Sequence, residues 1–190
     1  LIRALAPLGN ARQETATARA AAAHISDWSA VPMGVSTLHD RFAHISDTVQ
    51  RFTAMSLHFE ERLAPFGPYD AADPEALTEN LQIVGVSGTA TTFGALHLGL
   101  RSYDRSKVDG LWLPADGAGD VADRLLSMDL DDRASHPGIG RGRSELVISG
   151  SAILMTILRL WPVDRLRIAD RGLREGILYG LIQARRDRQT

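Results

Sequence analysis

Apolar residues along this chain fall into short runs of period two and longer runs of period three to four, and the two kinds alternate. Leu1 to Leu5 reads as a short strand and Gly9-Asn10 as a turn. Ala11 to Ala23, rich in Ala, Thr and Arg, fits either a short helix or the tip of a long hairpin. Ile25 to Val31 alternates as a strand that Pro32-Met33-Gly34 closes. A helix is expected from Val35 to Phe42. A second runs from Ile45 to Leu63, with Ile45, Val49, Phe52, Phe59 and Leu63 on one face and Ser56 at the remaining step. Ser46 or Asp47 is placed to cap it, and Pro65-Phe66-Gly67-Pro68 stops it. Tyr69 to Asn80 is a connection with a helical turn after Asp73-Pro74.

The second half repeats the alternation more clearly. Leu81 to Val86 is an apolar strand that runs through Ser87-Gly88-Thr89 into a helix ending near Leu100. Leu111 to Leu113 is a short strand. Gly117 to Met128 is a helix with Val121, Leu125 and Met128 on one side, and Asp129 to Gly142 reads as a polar loop. Ser144 to Leu160 is a helix apolar on nearly all sides, as a buried one is. Asp164 to Ile168 is a strand, and Arg171 to Arg186 a last helix with Leu173, Ile177, Leu181 and Ala184 as its stripe. Strands alternating with helices predict a layered α/β domain.

Composition narrows the function classes. A chain of 190 residues with 44% apolar and 23% charged positions suits one large domain or a domain and a half, with its own core. Cysteine is absent, which excludes disulfide frameworks, thiolate metal sites and cysteine nucleophiles. That absence is compatible with a reducing compartment, and the cytoplasm is the expected location. The net charge of −2 gives no reason to expect a groove for DNA or RNA, so a polyanion would need a local positive site. The longest uncharged stretch, Leu146 to Leu158, is too short to span a membrane. Leu1 to Ala22 has neither the charged head nor the apolar run of a secretory signal. A chain opening on Leu1 is expected to continue upstream in its source.

The richest segment chemically is Ile83-Val84-Gly85-Val86-Ser87-Gly88-Thr89-Ala90-Thr91-Thr92. An apolar strand ends in a turn of small residues and a helix begins at once. The first turn of a helix carries unpaired N–H groups and partial positive charge. Gly88 lets a ligand approach the backbone, and Ser87, Thr89, Thr91 and Thr92 offer hydroxyl donors. The combination suits a phosphate oxygen. Ser or Thr at such a place also serves merely to cap the helix.

Ser87-Gly88-Thr89 resembles the second phosphate loop of the Ppx/GppA family of exopolyphosphatases and guanosine pentaphosphate phosphohydrolases. Three further stretches match that family in order. Trp28-Ser29-Ala30-Val31-Pro32-Met33-Gly34-Val35 with Leu38 and Arg41-Phe42 is similar to its strand-to-helix stretch after the first phosphate loop. The run from Arg143 to Leu154 is similar to its late glycine-containing helix. The run from Arg165 to Gly176 is similar to its final strand-to-helix turn.

The resemblance implies a ribonuclease H-like domain of the actin-like ATPase superfamily, a mixed sheet with helices on both faces. It implies that residues 1–190 are one domain, the second (C-terminal) of such a phosphatase, truncated at its N-terminal edge. The family removes terminal phosphate from inorganic polyphosphate or guanosine pentaphosphate, with Mg2+ screening the phosphate charge. Its general base is a glutamate of the first domain, so no catalytic residue and no metal ligand is expected within this chain. Phosphate binding is expected at Ser87, Gly88 and Thr89. The fragment alone is expected to be inactive. A homodimer is implied by resemblance only. The alternatives are a non-catalytic phosphate- or nucleotide-binding regulatory module, or a kinase or ATPase of the same superfamily.

Other groups stay outside this picture. His24, His39, His44, His58, His97 and His136 show no ligand spacing. Gly138 to Arg143 is glycine-rich, but no apolar strand precedes it as a dinucleotide loop requires. Arg141 and Arg143 either reach a polyanion or are solvated loop charges, the commoner case for exposed arginine. Asp129, Asp131 and Asp132 lack the spacing of a calcium loop and read as a solvated helix end. Gly150 reads as a close helix contact, and Arg174-Glu175 as a structural pair at a helix start.

Overall fold

The structure, a computed structural model, describes residues 2–5, 24–28, 30–64, 81–139 and 141–187. The expected helix or hairpin tip at 11–23 and the turn after Asp73-Pro74 lie outside these residues. Two strands, β1 (Ile2–Leu5) and β2 (His24–Trp28), pair antiparallel with Ile2 opposite Trp28 and Leu5 opposite His24. Helix α1 (Val35–Phe42) follows, then α2 (Thr48–Leu63), whose N-cap is Asp47. The Asp47 carboxylate accepts the Gln50 N–H at 2.7 Å.

A three-stranded mixed sheet holds the second half together. Strand β3 (Ile83–Gly85) runs parallel to the central β5 (Arg165–Ile168), and β4 (Trp112–Pro114) runs antiparallel on its other side. Leu166 and Ile168 of β5 are buried. Arg165 and Arg167 alternate to the opposite side and lie over the Trp112 ring at 4.6 and 5.0 Å. Between the strands come α3 (Gly88–His97), the short α4 (Arg105–Val108), α5 (Ala115–Ser127), α6 (Leu130–Ser135) and α7 (Leu146–Leu160). Helix α8 (Leu173–Asp187) follows β5.

Helix α7 is the axis of the fold. It packs against α1, α2, α3 and α5, which explains why it is apolar on nearly all sides. Its small residues Ser149, Gly150, Ser151 and Ala152 are all buried and let neighbouring helices come close. Ala152 meets Leu38 of α1 and Met55 of α2, while Val147, Ile148, Leu154 and Leu158 join the larger core with Phe93, Leu96, Leu113, Val121 and Leu125.

Four expectations are corrected here. Strand β3 is shorter than Leu81 to Val86: only Ile83 to Gly85 pair with β5, and Val84 and Val86 are exposed. The inward face of α2 is Phe52, Met55, Phe59 and Leu63; Val49 is 55% exposed and Ile45 precedes the helix, since the buried stripe runs through Met55 and not Ser56, which turns Val49 off it. Asp129 to Gly142 is not a loop throughout: it holds α6, with Asp129 as N-cap, and a 3-10 turn at Arg141–Arg143. The stripe of α8 is not buried among the described residues, where Ile177 and Leu181 are exposed.

Helices α2 and α7 are also tied by an ion pair. Arg159 donates through both terminal nitrogens to the two carboxylate oxygens of Glu60. That hydrogen bond holds the Glu60 carboxyl below its ordinary range, against a smaller opposing effect of burial. A depressed carboxyl stabilises the fold above its unfolded pKa and ceases to do so as pH falls through its folded pKa. Glu60→Gln is therefore expected to lower the thermal midpoint slightly near neutrality. It should also flatten the midpoint's fall as pH drops through and below the ordinary glutamate range, read by circular dichroism melts at stepped acid pH.

Candidate functional site

The segment after β3 folds as a strand-to-helix turn. Ser87 is extended, with φ −165° and ψ 166°, and caps α3 by accepting the Ala90 N–H at Oγ, 3.2 Å. Its carbonyl takes the Thr91 N–H at 3.0 Å. Gly85 lets the end of β3 touch the start of α3: a Cβ there would stand 2.8 Å from that of Ala90. Ser87 and Gly88 are exposed and Thr89 is half-buried, so the turn opens to solvent. No acceptor among the described residues takes the backbone N–H of Gly88 or Thr89. These are orphan donors at the positive end of a helix.

The hydroxyls divide. Thr91 and Thr92 donate to the Gly88 carbonyl at 3.2 and 2.7 Å, so their protons belong to the helix and do not face a ligand. Thr89 packs against Gly150 of α7, where an added Cβ would collide with its hydroxyl and stand 2.9 Å from its methyl carbon. Ser87 keeps its hydroxyl proton, since its cap bond uses a lone pair.

A cation stands over this turn. The Arg143 guanidinium lies 3.8–3.9 Å from where a Cβ on Gly88 would be, and its Nη1 donates to Thr92 Oγ1 at 3.1 Å. Arg143 is exposed and stands beside the candidate anion position; the sequence leaves it open between reaching a polyanion and being a solvated loop charge. The side chain of Arg141 lies outside the described residues. What holds the Arg143 turn in place is Arg133, 2% exposed, which donates to the carbonyls of Ser144, Leu125 and Met128 at 3.1, 3.3 and 2.6 Å.

A second helix start lies at the same sheet edge, and it differs. The Ala169 N–H donates to the Gly85 carbonyl, which sets the start of α8 beside the end of β3. There Glu175 turns back and accepts the Gly172 N–H at 2.8 Å. Backbone N–H groups lower its carboxyl pKa, the Gly172 bond most. The end of α8 thus carries its own anion, while α3 presents its donors outward. Asp170 is held by Arg105 at 2.9 Å and Asp109 takes the Asp170 N–H, so the acidic groups of this turn are engaged too.

Among the described residues no group of three or more His, Asp or Glu side chains converges. Asp129 is spent as the α6 cap, His39 faces Glu145 just before α7, and His58 faces Glu61. A groove of about 400 Å³ between α2, α5 and α7 includes none of the loop residues. No described helix is long and apolar enough to cross a membrane.

The arrangement is an exposed strand-to-helix turn with free amides, under an arginine, at the C-terminal edge of a mixed sheet. A model of the Ppx/GppA phosphatase family matches residues 15–185. The chain belongs to the Ppx/GppA family. Among curated proteins it is similar to exopolyphosphatase 2 of Mycobacterium tuberculosis, 26% identical over 102 residues, which is 52% of this chain and 32% of that protein. Among solved structures it is similar to the Ppx/GppA family member of Aquifex aeolicus, with a TM-score of 0.71 and 23% identity over 85% of this chain and 50% of that one. An exopolyphosphatase of Cytophaga hutchinsonii gives a TM-score of 0.69 and 20% identity over 85% of this chain and 51% of that one. The chain thus spans about half the length of these solved relatives and about a third of the curated one. The fold is the ribonuclease H-like α/β fold of Ppx/GppA proteins, as the four stretches implied.

Proposed function

We propose that this chain is the C-terminal wall of a phosphoanhydride hydrolase, binding the terminal phosphates of a linear polyphosphate at Ser87, Gly88 and Thr89. The observation that carries this reading is the Arg143 guanidinium standing beside Gly88, at the end of α3 where the Gly88 and Thr89 N–H groups have no acceptor among the described residues. Backbone donors and a guanidinium at one exposed helix end suit an oxyanion with several acceptor atoms. The curated relative is named an exopolyphosphatase, which favours inorganic polyphosphate over guanosine pentaphosphate as the substrate. In this reading the general base and the Mg2+ ligands belong to the facing domain, and the enzyme works in the cytoplasm.

Phosphoryl transfer is catalysed by positioning and charge neutralisation on both sides of the transferred group. One wall binds but does not activate water. This chain is therefore expected to bind tripolyphosphate weakly, with amide shifts at Gly88 and Thr89 in a 15N NMR titration. Arg143→Met should weaken that binding roughly tenfold, the cost of one charge-assisted contact. Long-chain polyphosphate should release no phosphate above the buffer rate. Equal binding by the variant would overturn the site, and measured turnover by the chain alone would overturn the division of labour.

A further inference from the structure

The hydroxyl of Thr92 makes two bonds with one oxygen. Its proton goes to the Gly88 carbonyl at 2.7 Å, and a lone pair accepts Nη1 of Arg143 at 3.1 Å. The side chain is 2% exposed, so this oxygen has no water to exchange with. Each bond acts on a different part of the candidate anion position. The Gly88 carbonyl and the Thr89 N–H belong to one planar trans peptide and point in opposite directions. Pinning the carbonyl toward the second turn of α3 therefore aims the Thr89 N–H out of the helix end. The second bond fixes the Arg143 guanidinium over the same end. A flexible arginine whose tip is tethered loses less freedom when it meets a ligand.

From this geometry we propose that Thr92 is the positioning residue of the phosphate site, setting the aim of Arg143 and of the Thr89 amide without touching the anion. The inference rests on the site proposed above. Valine is isosteric with threonine and removes both bonds, whereas serine keeps both, so the pair separates the hydroxyl from the shape. Thr91 still serves the Gly88 carbonyl in the valine variant, at 3.2 Å.

The test is a tripolyphosphate titration of the full chain, followed at the Gly88 and Thr89 amides, with thermal melts of each variant alongside. Thr92→Val should weaken binding about fivefold, and Thr92→Ser should stay within about twofold of the parent. In an Arg143→Met background, Thr92→Val should add under about twofold, because the arm it orients is gone. The Arg143 Nε–H signal should also move toward a freely rotating position in Thr92→Val. Thr92→Val binding like the parent would overturn the inference, as would an equal loss with and without Arg143. If the parent chain gives no shift at Gly88 and Thr89, the proposed site fails at the first step, and this inference with it.

Discussion

Arg133→Met is expected to lower the stability of the chain by about 3 kcal/mol, the largest loss of any single substitution named here. Arg133 is 2% exposed and stands on α6, a helix otherwise too short and polar to dock. Its guanidinium closes the C-terminal end of α5 by serving the carbonyls of Leu125 and Met128, and it holds the entry to α7 through the carbonyl of Ser144. Carbonyls at a helix end lack partners of their own, and cations are favoured there. Burial lowers the arginine's pKa and neighbouring Arg51 lowers it further, while Asp129 opposes both. The guanidinium remains charged, and its hydrogen bonds compensate for lost water. Methionine fills most of the volume but supplies no donor to these carbonyls. Urea unfolding followed by circular dichroism measures the loss, and a change below about 1 kcal/mol would show that water replaces the guanidinium. Arg133→Lys should fall between, since one ammonium cannot span all three acceptors.

That clamp also marks the limit of what the sequence discloses. Helix α7 and strand β5 are legible because burial imposes a period on residues near one another in the chain. Helix α6 is not legible as a docked element, because its buried side chain is an arginine and leaves no apolar trace. The Ser87-Gly88-Thr89 turn is readable as a helix start from local chemistry alone. Arg143 is not, since it meets Thr92 across 51 positions and no period links them. The threonines invert the expectation for a local reason: in the first turns of a helix a hydroxyl finds the carbonyl of the residue three or four positions back before it finds a ligand. Val49 shows the converse limit: it fits the period by spacing and is 55% exposed, while Met55, passed over in favour of Ser56, is buried.

Gly150→Ala tests how far the phosphate turn depends on the core behind it. Sequence propensity alone predicts a gain of about 1 kcal/mol, because alanine is the better helix former. The structure predicts the opposite sign. A Cβ at Gly150 would meet the Thr89 hydroxyl well inside contact distance, its methyl carbon at 2.9 Å and its Cβ at 3.2 Å. Thr89 cannot swing aside cheaply: it is β-branched and sits in the first turn of α3, where few rotamers are open. Either α7 moves away from α3 or the turn moves outward, and overpacking of this kind costs about 1–3 kcal/mol. The expected net loss is about 2 kcal/mol, with displaced amide shifts at Gly88 and Thr89. Thr89→Ala removes the colliding atoms, so Gly150→Ala in that background should cost about nothing or regain stability. A double-mutant cycle of the two, measured by urea unfolding, reads the coupling directly. Additive losses would mean that α7 and the turn do not share this contact, and the close crossing of the two helices would no longer explain why glycine stands at 150.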